Sequence, residues 1–241
     1  MFDIAVIGAG MAGLVCAQQL AQSGYKVVVV EKSRGLGGRV ATRRLHGTYA
    51  DHGVRYLKSQ GQLLPQLIQN LSDLHLLQVW TDKVYEWSPK QQQLKSTASA
   101  PRYVAPTGMS AIAKFLATGR EIWLNQRVQA ISPTADNYWH LSLEPTNADT
   151  KDGKPQELTA QAVVVAIPAP QALMLLAKTD LPIAFLECLR SVEFDPCLSV
   201  IAGYPAQLHQ APAWQAVTFL DCLDLAGLAW IAVSGWRLGS H

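Results

Sequence analysis

The stretch Gly8-Ala9-Gly10-Met11-Ala12-Gly13 decides how the rest of the chain is read. An apolar run at 2–7 leads into it, and a helical pattern through Leu14, Ala17, Leu20 and Ala21 leads out. A second apolar run, 26–30, ends on Glu31, eighteen positions after Gly13. Strand, glycine turn, helix and a second strand ending on a carboxylate make up the dinucleotide-binding fingerprint.

Each residue type in that turn has a physical reason. Gly8 permits the tight turn, Gly10 lets the backbone come close to a pyrophosphate, and Gly13 lets the helix pack closely on the strand. The helix N-terminus offers unpaired N–H groups and about half a positive charge to phosphate oxygens. Glu31 is placed to accept hydrogen bonds from a ribose diol. A 2′-phosphate beside it would be repelled, so NADP is disfavoured in this first site. Small-residue turns also arise for packing alone, and it is the acidic strand end in register that favours a nucleotide.

The residues that follow, Arg34-Gly35-Leu36-Gly37-Gly38-Arg39-Val40-Ala41-Thr42, carry a glycine doublet, an arginine and, three positions on, a threonine. Two adjacent glycines let backbone lie against a flat ring or a second phosphate, and Arg39 can pair with a pyrophosphate that the helix dipole only partly neutralises. A solvated glycine loop is the plain alternative. Placed directly after Glu31, the doublet resembles the G-G-R-x-x-[ST] signature of the flavin amine oxidase superfamily, which NAD dehydrogenases do not carry there.

Composition narrows the partners. The 241 residues are 49% hydrophobic, enough for a sizeable core in one or two domains. With Lys+Arg 20 against Asp+Glu 18, the net charge of +2 gives no reason to expect nucleic acid. The basic residues Arg34, Arg39, Arg43 and Arg44 are a local cluster that a phosphate-bearing cofactor explains. Cys16, Cys188, Cys197 and Cys222 form no C-x-x-C pair, so buried reduced thiols are expected, and no metal site. No apolar run reaches the roughly 18 residues needed to span a bilayer, and no secretory leader is visible. A soluble cytoplasmic protein is the expectation.

Further along, Tyr49-Ala50-Asp51-His52-Gly53-Val54-Arg55-Tyr56 reads as an extended segment. His52 is a candidate general base there, with a hydrogen-bonded structural histidine as the plainer reading. Periodicity predicts an amphipathic helix over 62–77 and short strands at 84–87, 93–96 and 102–104, joined by polar turns into an antiparallel sheet. A helix over 110–117 and strands at 121–124, 127–131 and 138–143 follow, with a solvated turn at 149–154. The run 161–167 reads as a strand buried on both faces of a parallel sheet, ended by Pro168 and Pro170. Residues 171–189 read as helical, and 198–202, 216–220 and 228–233 as strands.

Taken with Tyr103-Val104-Ala105-Pro106-Thr107-Gly108-Met109-Ser110, these motifs resemble the renalase-like FAD-dependent oxidoreductases, a branch of the flavin amine oxidase superfamily. The resemblance runs from Ile4 to about Val233. It implies an α/β protein: a discontinuous Rossmann-like FAD-binding domain over 1–48 and 107–169, and a second, mainly antiparallel α+β substrate domain over 49–106 and 170–241. It also implies non-covalent FAD. Gly8, Ala9, Gly10, Met11, Ala12 and Gly13 would hold the pyrophosphate, Glu31 with Lys32 the adenosine ribose, and Gly37, Gly38 and Arg39 would lie between pyrophosphate and flavin. The backbone of Val128 would meet the adenine, and Gly53, Val54, Arg55 and Tyr56 would run beside the isoalloxazine. No catalytic residue is assigned.

Well-studied members of that branch oxidise abnormal dihydronicotinamide isomers with oxygen and release peroxide. The resemblance therefore implies a reduced nicotinamide nucleotide as substrate and oxygen as acceptor. Arg55 stands where the family usually has glutamine. The glycine-rich segment that closes the family's FAD site does not occur before His241, so weak or incomplete FAD binding by these residues is expected. Two other readings stay open: an amine oxidase or desaturase-like flavoprotein on the same scaffold, and a nucleotide-binding remnant without a full flavin site.

Overall fold

The computed structural model describes residues 1–45, 48–88, 90–91, 93–96, 100–146, 156–203, 216–219 and 230–232. In chain order the elements are β1 (Phe2–Ile7), α1 (Met11–Gln22), β2 (Val27–Val30), a 3-10 turn (Gly38–Val40), β3 (Thr42–Leu45) and β4 (Thr48–Asp51). Next come β5 (Leu57–Lys58), α2 (Leu64–Asp73), β6 (Gln78–Thr81), β7 (Tyr85–Ser88), β8 (Gln93–Ser96), β9 (Arg102–Val104) and α3 (Ser110–Ala117). Then follow β10 (Glu121–Trp123), β11 (Gln126–Pro133), β12 (Trp139–Pro145), β13 (Glu157–Val165), α4 (Ala169–Leu176), α5 (Ile183–Arg190), β14 (Ala216–Phe219) and β15 (Trp230–Ala232). They fall into two compact units, Met1–Ala41 with Ile112–Leu198, and Thr42–Ala111 with Ser199–His241.

The first unit is a Rossmann-like α/β body. Its six-stranded sheet has the order β10-β2-β1-β13-β12-β11. The first four strands run parallel, and β12 and β11 run antiparallel to their neighbours. Val28, Val29 and Val30 are all buried, as a strand covered on both faces of a parallel sheet requires. Val28 and Val30 share a core with Phe2, Ala5, Ile7, Leu141, Leu158 and Ala160. Burying one such Val, Ile or Leu side chain stabilises the fold by about 1.5–3 kcal/mol.

The second unit is mainly antiparallel. It contains a β3-β4 hairpin, a β5-β9-β6 sheet and a β15-β14-β7-β8 sheet in which β14 and β7 run parallel. The helix α2 carries Pro65 in its first turn, where a missing N–H costs nothing, and buries Ile68 and Leu71.

Several expectations are corrected. The helix expected over 62–77 ends at Asp73, because Leu76 N and Leu77 N both fold back to Leu71 O and His75 takes a positive φ of 56°. The freed residues turn the chain into β6, a strand outside the expected set. Residues 171–189 span two helices: α4 ends at Leu176, the chain turns through Thr179 N–H to Leu176 O, and α5 starts at Ile183 with Pro182 as its N-cap. The run 161–167 belongs to a strand that begins at Glu157 and pairs parallel with β1 but antiparallel with β12. Gln161 and Ala162 are exposed, so that strand is not buried on both faces.

Residues 198–202 form no strand, and Leu198 and Val200 are exposed. Cys188 and Cys197 are exposed and Cys16 half-buried, against the expectation of buried thiols; Cys222 lies outside the described residues. So does the turn expected at 149–154. Residues 170–198, grouped by the sequence reading with 49–106, cluster with the glycine turn. No helix among the described residues is long and apolar enough to cross a membrane.

Candidate functional site

Three glycines of the first turn have three different physical reasons. Gly8 has φ +105°, and a Cβ there would lie 2.7 Å from Ala166 O and 2.8 Å from Ile167 Cγ2. A Cβ on Gly13 would fall inside van der Waals contact with Gly8 O. Both positions are therefore demanded by the packing of β1, α1 and the end of β13. Gly10 is different: its backbone is extended, at φ −74° and ψ 175°, and a Cβ would meet nothing within 4 Å. The protein itself does not need glycine there, whereas a group approaching the backbone does.

Gly10 is also the N-cap of α1, and no side chain caps that helix or places a carboxylate in its first turn. The N–H groups of the first turn thus keep their hydrogen-bonding capacity and their share of the helix dipole for an anion. Met11 is half-buried and Ala12 exposed within that turn. Small side chains and a clear approach at Gly10 suit a pyrophosphate held by backbone.

Glu31 sits half-buried at the end of β2. Its Oε2 accepts from Ala9 N at 2.8 Å and its Oε1 from Ser33 N at 2.8 Å. Its own N–H donates to Trp123 O and its carbonyl accepts from Gln126 N, which fixes the residue against β10 and β11. The sequence reading offers the carboxylate wholly to a ribose. In the fold each oxygen already holds one backbone donor, and its second lone pair remains for one hydroxyl of a diol.

The glycine doublet docks directly on the glycine turn. Gly37 N donates to Ala9 O at 2.9 Å, Gly10 and Gly37 form a β-bridge, and a Cβ on Gly38 would lie 3.4 Å from Gly10 Cα. Gly37 and Gly38 take φ of +109° and +53°, so both are left-handed. Two motifs that read as separate stretches form one continuous backbone surface. Arg39 is exposed in the 3-10 turn and makes no ion pair among the described residues, which suits a role against phosphate oxygens.

Lys32 and Val128 belong to the same unit. Lys32 Nζ donates to Gln171 Oε1 at 3.0 Å and its carbonyl accepts from Thr146 Oγ1 at 2.7 Å, so its contacts brace the strand end. Val128 lies on β11 beside a bulge between it and Ala130 and packs on the core. The bulge interrupts the ladder at the backbone expected to meet an adenine.

The other expected residues, Gly53, Val54, Arg55 and Tyr56, connect β4 to β5 in the second unit. His52 is exposed, and its carbonyl accepts from Ser199 Oγ at 3.0 Å. Thr42, Asp51 and the backbone of Met109 and Ser110, none of them an expected site residue, hold this region together. Thr42 Oγ1 donates to Asp51 Oδ1 at 2.5 Å, Met109 N donates to the same oxygen at 2.9 Å, and Ser110 N donates to Thr42 Oγ1 at 2.9 Å. Gly108, at φ +95°, turns the chain where a Cβ would collide with Thr42. The threonine of G-G-R-x-x-T, the aspartate of Ala50-Asp51-His52-Gly53 and the start of α3 are thus one hydrogen-bonded knot.

Comparison with known proteins gives the family and the fold. Residues 6–71 match the NAD(P)-binding Rossmann-like domain, and residues 90–231, more than half of the chain, match the flavin containing amine oxidoreductases. The L-amino-acid oxidase of Echis ocellatus is 42% identical over 69 residues, 28% of this chain and 14% of that protein. The L-amino-acid oxidase of Sistrurus catenatus edwardsii is 32% identical over 117 residues, 45% of this chain and 22% of that protein. A solved putrescine oxidase bound to putrescine superposes with a TM-score of 0.54 at 13% identity, over 72% of this chain and 60% of the other, a likeness of fold. The chain thus spans well under two thirds of the length of these relatives. The match over 90–231, on a Rossmann-like body with a glycine turn and doublet joined at Gly10 and Gly37, places the chain in the family of flavin containing amine oxidoreductases, whose cofactor is FAD.

Proposed function

We propose that this protein is an oxidase in which FAD lies on the first unit and a small organic hydride donor is oxidised with oxygen as acceptor. The donor we favour is a dihydronicotinamide-type nucleotide. The observation that carries the reading is the docking of Gly37 and Gly38 on Gly10, with Glu31 bonded into the same turn. The N–H groups at the start of α1 and the guanidinium of Arg39 would neutralise the pyrophosphate, and Glu31 would orient the ribose. When bound, FAD supplies the two-electron acceptor that passes electrons on to oxygen. Overall, the donor loses a hydride and one oxygen molecule, with one proton, becomes hydrogen peroxide.

A dihydronicotinamide surrenders hydride without prior deprotonation, so Arg55 and Tyr56 need only orient it and exclude water. The second reading is an amine oxidase, favoured by the family and by the names of the relatives. Anaerobic mixing of flavin-loaded protein with dihydronicotinamide isomers and with simple amines or amino acids separates the two. Bleaching of the flavin by the former alone supports the first reading, and bleaching by the latter alone replaces it. Protein that binds no flavin under any condition sinks both and leaves a nucleotide-binding remnant.

A further inference from the structure

Tyr56, Trp80 and Trp230 form a group of three rings in the second unit, with centroids 6.1, 6.3 and 6.4 Å apart pairwise and tilts of 33–56°. Three cations surround it. The Arg55 guanidinium lies 4.2 Å over Trp230, the Arg102 guanidinium 5.3 Å over Tyr56, and Lys58 Nζ 5.9 Å from the Tyr56 centroid. No Asp or Glu makes an ion pair with any of the three among the described residues.

Arg102 is the unusual member. It is only 8% exposed, and although its Nη1 donates to Ala100 O at 2.7 Å, its buried Nε has no hydrogen-bond partner among the described residues. The buried Nε1 of Trp230 has none either. An arginine is almost never fully buried without a partner, and a buried donor without an acceptor is costly. Stacking on Tyr56 offsets part of the charge's desolvation but satisfies no N–H. Positive charge, flat apolar faces and two donors lacking acceptors therefore converge on one place.

We propose that Arg55 and Arg102, with the Tyr56, Trp80 and Trp230 rings, form an anion-reading subsite for a planar small molecule bearing a carboxylate or phosphate. The guanidinium forks pair with the anion and the rings stack on the flat body of the ligand. A cationic amine is repelled by the same three charges. That this ligand is the hydride donor rests on the oxidase reading; that the cluster selects planar anions does not.

Calorimetric titration tests the subsite without turnover, using benzoate, phenyl phosphate and benzylamine as probes. The expected result is saturable binding of benzoate or phenyl phosphate, at least tenfold tighter than benzylamine; the tighter of the two anions tells carboxylate from phosphate. Arg55→Gln should weaken that binding about tenfold with an unchanged unfolding midpoint, because Arg55 is exposed. Arg102→Lys, which keeps the charge but loses the fork, should do the same, and if it fails to fold Arg55→Gln alone decides. Equal affinity for benzylamine and the two anions, or unchanged anion affinity in Arg55→Gln, overturns the proposal. Flavin turnover with no anion preference would leave the oxidase reading standing and remove the subsite. Anion selectivity without any flavin turnover would do the reverse.

Discussion

Glu31 Oε2 accepts a hydrogen bond from Ala9 N at 2.8 Å, so the carboxylate that ends β2 is part of the glycine turn at the end of β1. The residue expected to read the ribose also fixes the backbone expected to hold the pyrophosphate. One side chain thereby couples the shape of the turn to the recognition of the nucleotide.

Glu31→Ala should accordingly lower both stability and FAD affinity. The buried Ala9 N–H loses its acceptor at a cost of about 1–3 kcal/mol, and lost charged hydrogen bonds to the ribose should weaken FAD roughly ten- to a hundredfold. Urea unfolding of the flavin-free protein and a flavin titration measure the two separately. A stability loss with unchanged FAD affinity would make Glu31 a strut of the turn and take it out of the site.

Gly10→Ala and Gly13→Ala should part company. The first meets nothing within 4 Å and changes only an N-cap, so it should cost no more than about 1.5 kcal/mol of stability yet sharply weaken FAD. The second drives a methyl into Gly8 O, and moving the helix off its strand should cost about 1–3 kcal/mol or more. Comparing unfolding midpoints with flavin affinity checks this. Full FAD binding by Gly10→Ala would mean that the phosphates do not approach there.

In the second unit, Thr42 and Asp51 should behave as a unit. Thr42→Val removes the donor to Asp51 and the acceptor for Ser110 N, and Asp51→Ala orphans Met109 N. Each change should cost about 1–3 kcal/mol, and the double variant less than the sum by about 0.5–3 kcal/mol. A double-mutant cycle in urea gives the coupling directly. Additivity within about 0.5 kcal/mol would show that the knot is not cooperative.

Thiol labelling checks the surface. Cys188 and Cys197 are exposed whereas Cys16 is half-buried on α1, so mapping of an alkylating reagent on the folded protein should find the first two modified before Cys16. Modification of Cys16 first would contradict the packing of α1.

What the sequence by itself determined is the short-range part of this protein. The limits of β1 at 2–7, β8 at 93–96, β9 at 102–104 and α3 at 110–117 coincide with the expected ones, because alternation, helical periodicity and turn residues act over a few positions. The nucleotide fingerprint was legible for the same reason: Gly8 and Gly13 answer steric demands of an adjoining strand and helix. Tertiary structure alone decided which distant groups meet. It brought Glu31 onto Ala9, Gly37 onto Gly10, Asp51 onto both Thr42 and Met109, and Trp230 onto Tyr56 and Trp80. It also set β12 beside Glu157–Ala160 of β13, and Gln161 and Ala162 are exposed where the apolar run predicts burial. Propensity and excluded volume fix a residue's local conformation, whereas its partners across 20 or 170 positions depend on strand register and on which faces the whole fold can bury together.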